Sequence, residues 1–310
     1  MVDVTRGAEV AVPPAAPGRR AARVSGALAP TLEILRRDRF ALAGVVIYAV
    51  LILVAILAPV LAPHDPQVVM EEDGIWLTNQ GPSRDFPLGT TNVGRDIFSQ
   101  LIYGARPALL VGFSAAFLVA VVGTIVGLVA GYFGGWVDGV LMRLTDVAFG
   151  IPFLPFVIVL VAFLGPNIWN VVLSMGLLLW RDTARIIRSQ VLTVRERAFV
   201  QAAQVSGAGA WRTVFLYVAP NILSLSLLYG TLAIGWAILT EASVSFLGFG
   251  DPTVTSWGFM LQDAYISQAL ARGAYSWFVP PGVCIMLAVM AGFFIGRGYE
   301  ELLFPRLRER

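Results

Sequence analysis

The sequence predicts an all-α, polytopic membrane protein with about six transmembrane helices, and three observations predict it. Hydrophobic residues make up 57% of the 310 positions and charged residues only 14%. The mean hydropathy, +0.75, lies far above that of soluble domains. Apolar runs recur at 40–62, 107–131, 139–164, 167–180, 221–247 and 277–296, and all but the fourth approach the ~20 residues that cross a bilayer.

Residues 1–35 are rich in Ala, Pro and Arg and lack the apolar core of a signal peptide, which predicts a flexible, uncleaved tail. The first transmembrane helix follows at 36–62, then a long loop at 63–106 holding Asp65, Glu71, Glu72, Asp73, Asp85 and Asp96. Asp96 is placed to cap a short helix whose Ile97/Leu101 and Phe98/Ile102 pairs repeat at four-residue spacing, as expected of a helix lying along a membrane surface. His64, the single histidine, cannot build a His-based metal site and reads as a solvated loop residue.

The remaining spans fall in a core at 107–300. Gly123, Gly127 and Gly131 stand four apart on one face of the second span, so another helix, of this chain or of a partner, can approach closely there. Asp138 is placed to cap the third span. Within that span Arg143 and Asp146, three apart, are expected to pair on one face. Pro152 and Pro155 interrupt it, either for packing alone or as a bend that widens a pathway. The fourth span reaches across only if its helix continues into "RDTARIIRSQ", with Arg181 and Arg185 extending toward the headgroups. Cys284, the single cysteine, excludes an intrachain disulfide and reads as a packed thiol.

All 22 basic residues are Arg. Without Lys there is no phosphate-binding loop of nucleotide hydrolases, so the chain is not expected to hydrolyse ATP. An inner N-terminus places 18 of the 22 Arg inside and leaves only Arg84, Arg95, Arg106 and Arg272 outside, the asymmetry of a chain with both termini in the cytoplasm. The loop at 181–220 then faces the cytoplasm, and the residues after 300 form a short tail there.

That loop contains "RERAFVQAAQVSGAGAWRTVFLYVAPN", Arg195 to Asn221, too polar for a span and far longer than a connector needs. It predicts a helix ending near Gln204, a break at Gly207 and Gly209, a second short helix around Trp211 to Tyr217, and the fifth span beginning after Pro220 and Asn221.

The pattern resembles the EAA loop of ABC importer permeases: Gln201, Ala202, Ala203, Gly207 and Pro220 occupy its positions, with Gln201 where the family has Glu and Ala219 where Leu often precedes the Pro. "FPLGTTNVGRDIFSQLIYGARPALLVG" (86–112), "LMRLTDVAFGIPFLPFVIVL" (141–160) and "EASVSFLGFGDPTVTSWGFML" (241–261) resemble the C-type permease of dipeptide, oligopeptide and nickel importers, with Thr91 where Asp is usual. The C-terminal "RGYEELLFPRLRER" departs from that family's Asp-rich ending.

The resemblance implies a type I ABC importer permease fold in a prokaryotic cytoplasmic membrane, surrounded by lipid and without nucleic acid. It implies half of a pathway shared with a second, B-type permease, two separate ATPase subunits that hold ATP and Mg, and an external substrate-binding protein. This chain itself would hold no cofactor, metal or catalytic residue. The docking residues would be Gln201, Ala202, Ala203, Gly207, Ala208, Gly209, Trp211 and Arg212, with Trp211 an anchor on the ATPase or, equally ordinary, a residue of the membrane interface. Glu241 lines the pathway, bonds the partner permease, or accepts a hydrogen bond from Ser243 or Ser245. Peptides are the expected substrate, with nickel or oligosaccharides the alternatives. A secondary transporter is disfavoured by few midplane charges and no detectable repeat, and a membrane enzyme by a single His and a single Cys.

Overall fold

The structure, a computed structural model, describes residues 38–303; the whole 1–35 tail with residues 36 and 37, and the tail from 304 onward, lie outside the described residues. Asp38 caps α1 (Arg39–Leu61), its carboxylate accepting the Phe40 N–H at 2.8 Å. In the loop that follows, β1 (Glu71–Glu72) and β2 (Ile75–Trp76) form a small antiparallel hairpin, the exception to the all-α expectation. Its turn needs positive φ at both central residues, supplied by Asp73 at 52° and Gly74 at 80°.

Asp96 caps α2 (Ile97–Tyr103), accepting N–H bonds from Phe98 and Ser99 at 3.2 Å each. The four-spaced residues of α2 face other helices: Ile97 and Ile102 are buried, and the Trp257 indole donates to the Leu101 carbonyl at 2.9 Å. Gly104, with helical dihedrals of −60° and −20°, joins α2 to α3 (Ala105–Phe133). His64 is not simply solvated. Its ring stacks on Phe86 at 5.2 Å and its Nδ1 lies 3.3 Å from the buried carboxylate of Asp96.

α4 (Gly135–Gly150) and α5 (Phe153–Leu164) meet at an 87° bend, so the third apolar segment is not one straight span. α6 (Ile168–Arg195) does continue through "RDTARIIRSQ", but Arg181 and Arg185 turn onto α4, where Arg181 donates to the Ala148 carbonyl and Arg185 pairs with the Asp146 carboxylate. Among the described residues, α1, α2 with α3, the run Ala210–Phe246 and Tyr275–Glu301 are long and apolar enough to cross a membrane, and α4 with α5 would add a fifth span.

The bundle is built around α3. A Cβ on Gly123 would stand 2.6 Å from Thr183 Cβ, on Gly127 2.5 Å from the Ala184 carbonyl, and on Gly131 2.8 Å from Val191 Cβ. The three glycines thus let α3 lie directly on α6. α9 (Ala219–Phe246) packs on α3 and on α11 (Tyr275–Leu303), α11 packs on α1, and α10 (Trp257–Ile266) closes the end near α2.

The expected boundary at Pro220 is absent. α8 (Ala210–Thr213) runs through a π turn, Val214–Val218, into α9 without leaving helical dihedrals. The Ala219 N–H reaches back to the Val214 carbonyl in the five-residue spacing of a π turn. This wider turn accommodates a proline ring that an α turn would press against the preceding carbonyl.

Candidate functional site

α7 (Ala198–Val205) is seated by Val200, fully buried among Val194, Val214 and Val218. Its C-terminus is closed by two backbone bonds at 3.0 Å: Gly207 N–H to the Gln204 carbonyl and Ala208 N–H to the Ala203 carbonyl. This pair defines a Schellman end and requires a left-handed residue at its centre, which explains Gly207 at φ 84° four residues after Ala203.

The corner leaves an open cavity of ≈ 340 Å³ lined by Ala202, Ala203, Ser206, Gly207, Ala208 and Arg212, together with Phe199 and Tyr217. Phe199 and Tyr217 were not legible as functional from the loop pattern, although the spacing 199/202/203/206 marks a single helix face. Val205, beside the corner, is 90% exposed. Gln201, Ala202, Gly207, Gly209 and Arg212 are exposed, and Ala203 is buried. Trp211 is exposed but does not line the cavity; it stacks on Phe215 at 5.9 Å and meets Phe133 edge-on at 5.3 Å.

The loop is tied to the end of α3. Arg195 donates to the carbonyls of Gly131 and Tyr132 at 3.1 and 3.2 Å, satisfying groups that the helix terminus leaves unpaired. The Gln204 amide reaches the Tyr132 hydroxyl at 3.4 Å, and the Gln201 amide reaches the Glu196 carbonyl at 3.4 Å.

The other singled-out residues lie elsewhere. Arg143 does not pair with Asp146: Asp146 is taken by Arg185 at 2.7 Å, and Arg143 makes no ion pair among the described residues. Adjacent packing of α6 brings a guanidinium within direct reach, which the three-residue spacing along α4 does not match. Asp138 does not cap α4. Gly134 occupies that position, and Asp138, inside the first turn, binds Arg188 through both oxygens at 2.5 Å. Pro152 caps α5 at the 87° bend and Pro155 lies in its first turn.

Glu241 is buried near the end of α9, beside a cavity of ≈ 10 Å³ that Ser245, Asp251 and Ser256 also line. Ser245 donates to Glu241 Oε1 at 2.7 Å, whereas Ser243 turns to the Leu239 carbonyl at 2.8 Å. Removing the acceptor leaves a buried hydroxyl unpaired, at a cost of about 1–3 kcal/mol. Glu241→Ala is therefore expected to lower the thermal midpoint in detergent by several degrees, and Glu241→Gln, which can still accept, by much less. Equal midpoints for the two variants would count against this role.

Known proteins are similar to this chain in sequence. The family described as binding-protein-dependent transport system inner membrane component matches residues 123–309, and the N-terminal TM domain of oligopeptide transport permease C matches residues 30–82. A putative peptide permease protein of Brucella suis is 34% identical over 91% of this chain and 92% of its own length. The oligopeptide transport system permease protein OppC of Bacillus subtilis and the glutathione transport system permease protein GsiD of Escherichia coli are each 35% identical over 88% of both chains. A polytopic helical bundle, an Ala-Ala corner closed by Gly207 and matches to both family regions together show that this chain belongs to the binding-protein-dependent transport system inner membrane components, with the C-type permeases of ABC importers.

Proposed function

We propose that this chain forms half of the membrane pathway of an ATP-driven peptide importer and docks a separate ATPase subunit at the corner between α7 and α8. The observation that carries the docking is the open cavity beside Gly207, floored by the small residues Ala202, Ala203 and Ala208 and flanked by the exposed Arg212, which makes no ion pair among the described residues. Small residues let a partner approach the backbone, and Arg212 offers it a charged hydrogen-bond donor. Exposed Trp211 stands next to this cavity as an additional contact.

ATP and Mg would be held by two ATPase subunits, and the pathway completed by a second permease supplied with substrate from an external binding protein. The Arg asymmetry supports both termini and the docking corner on the cytoplasmic side of a prokaryotic inner membrane. Peptide as the substrate is supported by relatives named peptide and oligopeptide permeases.

Purification in mild detergent from native membranes, through a C-terminal tag, tests the assembly. A second permease and two ATPase subunits are expected to co-elute, and the reconstituted complex to take up labelled di- or oligopeptides only with the binding protein and MgATP. Elution of the chain with itself alone would defeat the docking assignment; uptake confined to a non-peptide solute would defeat the substrate assignment.

A further inference from the structure

At the opposite end of α3 from the docking corner, the loop after α1, the junction of α2 with α3 and the loop after α9 enclose an open cavity of ≈ 250 Å³. A carboxylate, Asp65, and a guanidinium, Arg106, both line it, together with Gln67, Tyr103 and Thr253. Opposite charges on so small a cavity are expected to pair, yet these two form no ion pair, because each is engaged by its own surroundings. Asp65 Oδ1 accepts the Gln67 N–H at 2.8 Å. Arg106 Nε donates to the Ala55 carbonyl at 2.7 Å, and its guanidinium carbon stands 4.9 Å from the centre of the Tyr103 ring. Asp65 Oδ2 and the two terminal nitrogens of Arg106 make no hydrogen bond among the described residues, so one cavity offers an anion and a cation that do not satisfy each other.

The walls are fixed before any ligand arrives. The buried Gln100 amide donates to the Pro66 carbonyl at 3.2 Å, and the Gln67 amide crosses to the Thr253 carbonyl at 2.6 Å. Thr253 in turn donates its N–H and its hydroxyl to Asp251 Oδ1, at 2.9 and 2.6 Å. Stretches nearly 190 residues apart in the chain are thereby held as one surface, and binding to it loses little entropy in ordering loops. Pro107 and Val254 belong both to this cavity and to the ≈ 10 Å³ cavity beside Glu241, so the open cavity adjoins the interior of the bundle.

We propose that this cavity is an entry site for a short zwitterionic peptide, with Arg106 taking the α-carboxylate and Asp65 the α-ammonium. The inference rests on the peptide-importer reading above and names where in this chain the substrate is first held. A guanidinium with two free terminal nitrogens matches a carboxylate in charge and in bidentate geometry. The volume lies just below the roughly 300–1,000 Å³ of sites that enclose drug-sized ligands, which suits a two-residue peptide. The same pair of charges disfavours the other solute classes. An uncharged sugar would desolvate both groups and pair with neither, and a nickel ion would meet Arg106 as a like charge.

The test is ligand-observed saturation-transfer NMR on the purified complex without its external binding protein, both without nucleotide and with MgADP and vanadate. Nanodiscs of phosphatidylglycerol are used, because that headgroup carries no ammonium and cannot occupy the cavity as a zwitterion. Ala-Ala is titrated beside N-acetyl-Ala-Ala and Ala-Ala-amide, each of which lacks one charge and is expected to bind at least about tenfold more weakly, as the loss of a charge-assisted hydrogen bond implies. Asp65→Asn is expected to weaken Ala-Ala similarly and to erase the penalty of acetylation while keeping that of the amide. Arg106→Gln is expected to do the converse, and Arg106→Lys to keep most of the preference for a free carboxylate. Both neutral variants preserve the local bonds, since Asn can still accept from Gln67 and Gln can still donate to Ala55. Should Arg106→Gln fail to accumulate, the acetylation penalty in Asp65→Asn decides alone. Uptake by the complex with its binding protein is measured in parallel. A complex that imports peptides yet gives no Ala-Ala signal in either state, or whose variants weaken all three ligands equally, overturns this inference alone; a complex that imports only a non-peptide solute and gives no Ala-Ala signal overturns it together with the peptide reading.

Discussion

Membranes of cells producing Gly127→Leu are expected to contain little folded protein. A Cβ at 127 would lie 2.5 Å from the Ala184 carbonyl oxygen and 2.8 Å from Ile187 Cβ. The first neighbour is backbone and cannot rotate away, so α3 and α6 would have to separate. Separation also loosens the contacts at Gly123 and Gly131, where a Cβ would meet Thr183 and Val191 at 2.6 and 2.8 Å. Overpacking typically costs about 1–3 kcal/mol even when side chains alone adjust. With backbone displacement the loss should exceed ~3 kcal/mol, a large share of the roughly 5–15 kcal/mol that keeps a protein folded. Gly139→Leu is the control, since a Cβ there meets nothing within 4 Å. Fluorescence size-exclusion profiles of detergent extracts should show the monodisperse peak lost for Gly127→Leu and kept for Gly139→Leu. A parental peak and thermal midpoint for Gly127→Leu would contradict the close approach of the two helices.

What the sequence disclosed depended on whether an interaction was local. The four-residue spacing of Gly123, Gly127 and Gly131 is a property of one helix, and α6 is the helix it faces. The cap at Asp96 was equally legible, because its acceptors and donors lie within three residues. Ion pairs were not legible. Asp138 and Asp146 each had a local assignment, yet their partners lie 50 and 39 residues away on α6. Partner choice there follows helix packing, which spacing along α4 does not encode. His64 was misread for the same reason, since Asp96 stands 32 residues from it. Pro220 misled differently. Proline usually interrupts a helix, but the π turn before it supplies the space its ring needs, and the run from Ala210 to Phe246 stays continuous.

The candidate site was legible in part because the Gly207 corner is closed by bonds within one short segment, Ala203 to Ala208. Its outer wall was not, since Tyr217 belongs to the π turn and reaches the cavity only through the continuous helix. The sequence placed Trp211 and Arg212 together; folding separates them, with Arg212 on the cavity and Trp211 against Phe133 and Phe215. Arg212 is thus the more direct test of the cavity, and Trp211 of the surface beside it.

Gly207→Arg is expected to insert and accumulate normally, yet to lose its ATPase subunits and at least about tenfold in ATP-driven uptake, a change that needs only ~1.4 kcal/mol of lost docking free energy. Accumulation should survive because a Cβ at 207 meets nothing within 4 Å, so the fold itself has room for a side chain. Holding a non-glycine residue at φ 84° costs roughly 1–2 kcal/mol locally, borne by an exposed helix end rather than by the core. Docking should fail because position 207 borders the cavity, where a long cation would stand beside Arg212 and exclude the approaching surface. Gly207→Ala separates the two effects, having the same backbone cost without the bulk or charge, and should retain most uptake. Gly207→Asn, tolerant of left-handed dihedrals and uncharged, should fall between them. Co-purification of the ATPase and uptake are measured on all three variants at matched membrane levels. If Gly207→Arg retains both, the ATPase does not dock in this cavity; if Gly207→Ala fails as badly as Gly207→Arg, the backbone of the Schellman end, not access to it, is what docking requires.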